Sequence, residues 1–160
     1  MSMIGNFLAV TQEELDQLYS SPSKLPAFLY EERQKDILDV DKSWHAIHYT
    51  LTGNTFGGDT PLANVVFGVT PIGEEDLGYG PALGTDSGAV KAIAKALGEI
   101  TETQFKEKFD VYALASAEIY PQIWDEGDEA LDYVVSYFTE LREFYREAAE
   151  EDLAIVTFIN

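Results

Sequence analysis

The chain has 160 residues, of which 46% are apolar and 12% aromatic, so we expect one domain over residues 1–160 with a sizeable hydrophobic core. Its 29 acidic residues outnumber its 10 basic ones and give a formal net charge of −19. This charge repels phosphate backbones and anionic lipids, so neither nucleic acid nor a membrane surface is expected as a partner. The absence of cysteine excludes disulfides, thiolate nucleophiles and thiolate metal sites.

The first segment, MSMIGNFLAVTQEELD, lacks the basic start and long apolar run of a signal peptide. No later apolar run approaches the ~20 residues that a membrane-spanning helix needs. We therefore expect a cytoplasmic protein.

The chain begins with an apolar run, Ile4 to Val10, that predicts a short strand. Thr11 and Glu14 have the spacing of a capping box, which predicts a helix from Gln12. Pro22 should end this helix. A second short helix is predicted from Pro26 to Lys35.

The segment DKSWHAIHYTLTG, Asp41 to Gly53, predicts an amphipathic helix. Asp39 or Asp41 is its expected N-cap, and Gly53 its expected end. Four residues recur at helical spacings of three and four and should form the buried face: Trp44, Ile47, His48 and Leu51.

Residues 55–88 are rich in glycine, which predicts loops. Within them, Pro61 to Phe67 is a predicted short helix and Pro81 to Leu83 a candidate strand.

Three further helices are predicted from their N-caps. These caps are, in order, one of Thr85, Asp86 or Ser87; Thr101, in a second capping box with Gln104; and Asp110.

The longest predicted helix runs from about Asp128 to Ala149, with a continuous apolar stripe at helical period. After it, the β-branched and aromatic run Ala154 to Ile159 predicts a strand buried on both faces. Together these patterns predict an α+β fold: a predominantly helical single domain around a small sheet that pairs the N-terminal and C-terminal strands.

The two histidines of the chain, His45 and His48, lie three residues apart. A metal site with Asp41 would need further ligands, and a zinc helix of the H-E-x-x-H type places its histidines four apart. We therefore expect no metal site and no cofactor. His48 is predicted to be a hydrogen-bonded core or boundary histidine, and His45 to lie nearer solvent or a cleft.

Familiar catalytic and ligand motifs are not matched elsewhere. Asp41, Ser43 and His45 are too close along one helix for a hydrolytic triad. The loop Gly78 to Gly84 lacks the lysine of a phosphate loop. If a ligand cleft exists, its candidate residues are Trp44, His45, His48, Tyr79 and Tyr120.

Between Asp125 and Asp152 the chain has 11 acidic residues and two arginines. This predicts that the long helix carries a docking face for a basic partner, if the protein has one. The candidate residues of this face are Glu140, Glu143, Glu147, Glu150 and Glu151.

Five segments in the same order and spacing resemble the YfbM-like bacterial proteins, known as domain of unknown function 1877: MSMIGNFLAVT, DVDKSWHAIHYTLTG, LGYGPA before VKAIAKAL, AEIYPQIW and AAEEDLAIVTFI. The resemblance implies a small bacterial, cytosolic α+β protein, and it brings no established reaction, cofactor or active site. The chain departs from the family pattern after LGYGPA, where LGTDSGAV stands in place of a T-P-E-E-V helix start.

The acidic composition favours a non-enzymatic binding or interaction module whose surface binds a basic protein. An inhibitor or immunity-type protein is one form of such a module. Two alternatives remain: an enzyme or small-ligand binder with a cleft near His45 and His48, and a structural subunit of a homo-oligomer.

Overall fold

Five antiparallel strands form one sheet at the centre of the computed structural model, which describes residues 2–160. Their order across the sheet is β2-β1-β5-β4-β3. The strands are β1 (Gly5–Val10), β2 (Leu38–Asp39), β3 (Thr70–Pro71), β4 (Leu83–Thr85) and β5 (Ala154–Ile159).

The two terminal strands pair along their whole length, as predicted. β1 and β5 run antiparallel, from Gly5 opposite Ile159 to Val10 opposite Ala154. Because side chains alternate along a strand, Phe7 and Ile155 point into one hydrophobic cluster, while Leu8 and Val156 point into another. Both faces of the central sheet are therefore covered.

Helices form the covering layers. Their bounds are α1 (Gln12–Ser20), α2 (Leu25–Ala27), α3 (Trp44–Thr52), α4 (Asn64–Phe67), α5 (Ser87–Gly98), α6 (Glu102–Lys108), α7 (Val111–Ser116) and α8 (Asp128–Glu150). Helices α1 and α2 contribute to one cluster, and α3 to α8 to the other. The predicted α+β fold is confirmed.

Helix α8 matches the predicted long helix within one residue at its C-terminus. Its stripe of Val134, Phe138, Leu141 and Tyr145 is buried, and the Phe138 ring stacks on Phe105 at 4.0 Å. Among residues 2–160, no helix combines the length and the apolar composition needed to cross a membrane.

Three of the predicted N-caps are confirmed. Thr11 and Thr101 each form a complete capping box, with Glu14 and Gln104 respectively. The carboxylate of Asp110 accepts hydrogen bonds from the backbone N–H groups at the start of α7.

The predicted cap of α3 is wrong. A 3₁₀ turn over Asp41–Ser43 leads directly into the helix, so Ser43 occupies the N-cap position and makes no side-chain capping bond. Asp39 instead accepts a hydrogen bond from the N–H of Asp41, and the Asp41 carboxylate accepts one from the Tyr133 hydroxyl at 2.7 Å. The predicted end at Gly53 is confirmed, since Gly53 has the left-handed conformation.

The N-terminus of helix α5 is capped by a side chain of another helix, α1. Asp86 occupies its N-cap position, as one of the three alternatives predicted, but makes no side-chain capping bond. The amide oxygen of Gln12, on α1, accepts the hydrogen bond from the N–H of Ser87 at 2.8 Å, while the amide nitrogen of Gln12 donates to the Asp86 carboxylate.

The remaining predicted elements are shorter or displaced. The segment from Pro26 to Lys35 is not one regular helix, because α2 passes into a π-helical turn over Phe28–Glu32. Only Asn64–Phe67 of the predicted helix from Pro61 is helical, and the candidate strand near Pro81 begins at Leu83.

Candidate functional site

His45 is buried, at 5% exposed against 0% for His48, so it is the one of the two histidines that lies nearer solvent. Its Nδ1 accepts a hydrogen bond from the backbone N–H of Tyr120 at 3.1 Å, so the ring proton is on Nε2, which donates to the carbonyl of Thr55 at 3.0 Å. Burial lowers the pKa of His45 and keeps the ring neutral. Neither ring nitrogen is available for proton transfer to a substrate.

His48 is fully buried, as a core histidine should be. Its Nε2 donates to the carbonyl of Gly57 at 2.9 Å, and its ring packs against Phe67, with centroids 4.7 Å apart. Its Nδ1 has no hydrogen-bond partner among the described residues. Burial lowers the pKa of His48 to about 4, so this ring is also neutral near pH 7.

The two histidines hold one loop between them. The carbonyls that they bind, Thr55 and Gly57, flank Phe56 in the chain. The His45 ring also stacks on Phe56 at 5.2 Å and on Trp44 at 5.0 Å. This geometry supports a positioning role for both histidines, with Phe56 as the side chain they position.

A cavity of about 260 Å³ opens beside this loop. Five aromatic side chains contribute to its wall, and we name it the aromatic cavity after them: Trp44, Phe56, Phe67, Tyr79 and Phe158. The rest of its wall is formed by Met3, Val66, Pro81, Leu83, Thr157 and Ile159. It therefore lies where α3, α4 and the loop before β4 meet the end of β5.

The wall is brought together by close backbone packing at Gly68, directly after α4. Gly68 has a φ of +70°, and a Cβ there would lie 2.9 Å from both the Leu83 Cβ and the Thr157 Oγ1. Only glycine allows this approach without strain. It lets α4 place Val66 and Phe67 against the strands.

Tyr79 is held over the cavity by a tight turn. The Asp76 carboxylate accepts hydrogen bonds from the N–H groups of Gly78 at 2.7 Å and Gly80 at 2.9 Å, and these bonds lower the pKa of Asp76. The N–H of Tyr79 itself donates to the carbonyl of Ile159. The loop is thus tied to the end of the central strand.

The five cleft candidates are only partly brought together. Trp44 and Tyr79 line the aromatic cavity. Tyr120 stacks on Trp44 at 5.9 Å, and its hydroxyl accepts a hydrogen bond from the N–H of Met3. His45 and His48 lie behind the wall, against Phe56 and Phe67.

Phe56 and Phe67 were missed as site residues by sequence reasoning. The available signal was the GNTFGGD run, Gly53 to Asp59, in which one aromatic residue stands alone among small and polar ones. This residue, Phe56, is 65% exposed. An exposed aromatic side chain on a loop that buried groups hold in place is typical of a binding surface.

No cluster of three or more histidine, aspartate or glutamate side chains within residues 2–160 has the geometry of a metal site.

A second candidate site is an open groove of about 430 Å³ between α8 and the edge strand β2. We name it the acidic groove, and its lining residues are Leu38, Thr139, Glu140, Glu143, Phe144 and Glu147. Leu38 and Phe144 supply apolar surface, and no basic side chain lines it. Three of the five predicted partner-face residues thus meet around an apolar floor.

The remaining two partner-face residues continue toward the end of α8. Glu150 lies one turn beyond Glu147, and Glu151 is the C-cap; both are exposed. Arg146 pairs with Glu143, Glu147 and Glu150, and this contact lowers the pKa of Glu143.

Arg142 makes no ion pair with these carboxylates among the described residues, although its charge also lowers the pKa of Glu143. Its guanidinium donates to the carbonyls of Leu97 and Gly98 at the end of α5. Within residues 2–160, no cation lies at ion-pair distance from Glu140.

A larger groove of about 830 Å³ lies along α1 and α2. Glu13, Glu14, Asp16 and Glu32 line it together with Lys24 and with polar and apolar side chains. This second acidic surface offers a comparison for the acidic groove.

Comparison with known proteins identifies a family and a relative of known structure. The family model for the domain of unknown function DUF1877 matches residues 1–158. Protein YfbM of Escherichia coli strain K12 is 28% identical over 129 residues, which are 77% of this chain and 75% of that protein. The crystal structure of E. coli YfbM, described as a protein of unknown function, has a TM-score of 0.77 at 23% identity and matches 98% of this chain and 99% of that chain. This likeness shows the fold.

Proposed function

The chain belongs to the DUF1877 family, and we propose that it functions as a non-enzymatic binding module that docks a basic protein segment in the acidic groove. The segment carries lysine or arginine side chains toward Glu140 and Glu147 and an apolar side chain toward Phe144. The observation that carries the proposal is the meeting of three carboxylates, which share a single ion-pair partner in Arg146, with an apolar floor on one face of α8.

The placement of these acids works against the stability of the helix. A helix C-terminus carries a partial negative charge that favours lysine or arginine in the last turn. The last turn of α8 has no basic residue and instead contains Glu147 and Glu150, followed by Glu151 and Asp152. These acids do not stabilise the helix, but they increase the attraction of its face for cations.

The apolar floor distinguishes this face from a merely solvated one. Phe144 is half-buried, with its ring edge-to-face on Phe7 at 6.4 Å. Phe144 and Leu38 line the same groove as the carboxylates of Glu140, Glu143 and Glu147. Charge complementarity speeds association and selects the partner, and burial of an apolar anchor adds affinity.

An inhibitor or immunity-type protein with a basic target is the narrower form of this proposal. It rests on the net charge of −19. A basic protein that co-purifies at low salt and is released at high salt would support it.

The test uses a fluorescent peptide of alternating lysine and leucine and, as its control, the same peptide with serine in place of leucine. The protein should bind the first peptide more tightly, with affinity falling as NaCl is added. The double variant Glu140→Gln/Glu147→Gln should bind it roughly fivefold more weakly, as expected for two exposed charge pairs.

A matched control variant removes the same charge from another surface. Glu13→Gln/Asp16→Asn alters the groove along α1 and should bind the peptide as the unmodified protein does. Equal weakening in both double variants would mean that the peptide senses only the overall charge, and the proposal would be wrong. If the leucine and serine peptides bound equally tightly, apolar contact would not contribute to binding, and that part of the proposal would be wrong.

A further inference from the structure

We infer that the aromatic cavity binds a small neutral molecule with a flat ring system of one or two fused rings. This site is separate from the acidic groove, and the inference does not depend on the proposed function. It rests on the size of the cavity, the chemistry of its wall and the way its rim is held.

The volume sets the size of the ligand. Benzene occupies an engineered apolar protein cavity of about 150 Å³, whereas pockets for drug-sized ligands begin at about 300 Å³. At about 260 Å³, the aromatic cavity has room for a ring system the size of indole.

The wall sets the charge of the ligand. None of the lining side chains is ionisable to a charged form near pH 7, so an ion would lose its hydration without gaining a counter-charge. An anion is also repelled by the net charge of −19. A cation can be attracted by ring faces, but no carboxylate lines the cavity to pair with it.

One polar atom in the wall can orient a bound ligand. Thr157 is 2% exposed, and its hydroxyl lies 3.5 Å from the carbonyl of Leu83, at the outer limit of a hydrogen bond. Its oxygen can accept a hydrogen bond from a ring N–H of the ligand. A mostly apolar pocket with few placed polar groups is the usual composition of a small-molecule site.

The rim is held in place before any ligand arrives. On one side, His45 and His48 bind the carbonyls that flank Phe56. On the other, Asp76 binds the N–H groups that flank Tyr79. Because both rim residues are ordered by the protein itself, binding costs little further loss of conformational freedom.

The test follows the two indole N–H signals of the ¹⁵N-labelled protein by NMR during titration with unlabelled ligand. Trp44 lines the cavity and donates its Nε1–H to the carbonyl of Met3. Trp124 donates to Ile119 elsewhere in the core and serves as the internal control. The ligands share one ring system and differ in charge: indole, tryptamine and indole-3-acetate.

Indole should shift the Trp44 signal saturably and leave that of Trp124 in place, and the two charged analogues should bind more weakly. The exposed rim variants Phe56→Ala and Tyr79→Ala should each weaken indole binding roughly threefold or more. Tyr112→Ala removes an aromatic residue that is 82% exposed on α7 and should bind indole as the unmodified protein does.

Three outcomes would overturn the inference. One is the lack of a saturable Trp44 shift with indole, and another is equal loss of binding in Tyr112→Ala. The third is tighter binding of tryptamine or indole-3-acetate than of indole, which would contradict the neutral class. The variant Glu140→Gln/Glu147→Gln should bind indole normally, so failure of one proposal does not imply failure of the other.

Discussion

At the residue scale, the burial of His48 predicts a loss of stability in weak acid. The unfolded chain binds a proton at the ordinary histidine pKa of ~6.5, whereas the folded protein holds the pKa of His48 at about 4. Stability is therefore complete above ~pH 6.5 and falls as the pH decreases toward 4. By pH 5 the loss from His48 should be at most ~2 kcal/mol. Urea denaturation at pH 7 and pH 5 measures it.

The variant His48→Gln removes the titrating ring and should lose less stability between pH 7 and pH 5 than the unmodified protein. The pKa of His45 is lowered as well, by less than that of His48, so His45→Gln is the comparison variant and should reduce the pH dependence by a smaller amount than His48→Gln does. The lowered pKa values of Asp76 and Glu143 act at lower pH and do not enter this window. Identical pH dependence in His48→Gln and the unmodified protein would contradict the prediction.

The side chains of α3 show when burial can be predicted from helical spacing and when it cannot. Trp44, Ile47 and Leu51 are buried, as their helical period indicates. The burial of His45 was not predictable in this way. Its partners, Phe56 and Tyr120, come from a loop and from the segment after α7, and helical spacing carries no information about either.

At the element scale, the start of α5 should depend on a residue of α1. Gln12 supplies the only side-chain acceptor for the N–H of Ser87 among the described residues, so Gln12→Ala should destabilise the protein by ~1 kcal/mol, as loss of an N-cap does. Gln17→Ala, an exposed substitution on the same helix, should change the free energy of unfolding by less than ~0.5 kcal/mol. Urea denaturation of the two variants compares them, and an equal effect would show that Gln12 is no cap.

Whether a helix could be predicted from the sequence depends on how far apart along the chain its defining interactions lie. The helices starting at Gln12, Glu102 and Val111 could be predicted because each cap lies within three residues of the groups it binds. The irregular turn over Phe28–Glu32 could not, because a propensity pattern does not distinguish a π-helical turn from an α-helical one.

At the scale of the whole molecule, the pairing of the two terminal strands was predictable, and the two candidate sites were predictable only in part. Apolar runs at both ends of the chain, each in need of backbone partners, favour one shared sheet. The aromatic cavity depends on how two glycine-rich loops pack against β5, and turn signals locate such loops without orienting them. The glutamates of the acidic groove were predicted from charge, but its floor includes Leu38 from a distant part of the chain.

The net charge of −19 predicts that salt stabilises the fold. Like charges repel more strongly in the folded state than in the expanded unfolded chain. Raising NaCl from about 0.01 M to about 0.1 M shortens the screening length from about 30 Å to about 10 Å, so the free energy of unfolding in urea should increase. The combined variant Glu13→Gln/Asp16→Asn/Glu140→Gln/Glu147→Gln should start more stable at low salt and respond less. An equal salt response in both proteins would mean that salt acts through general solvation instead of charge repulsion.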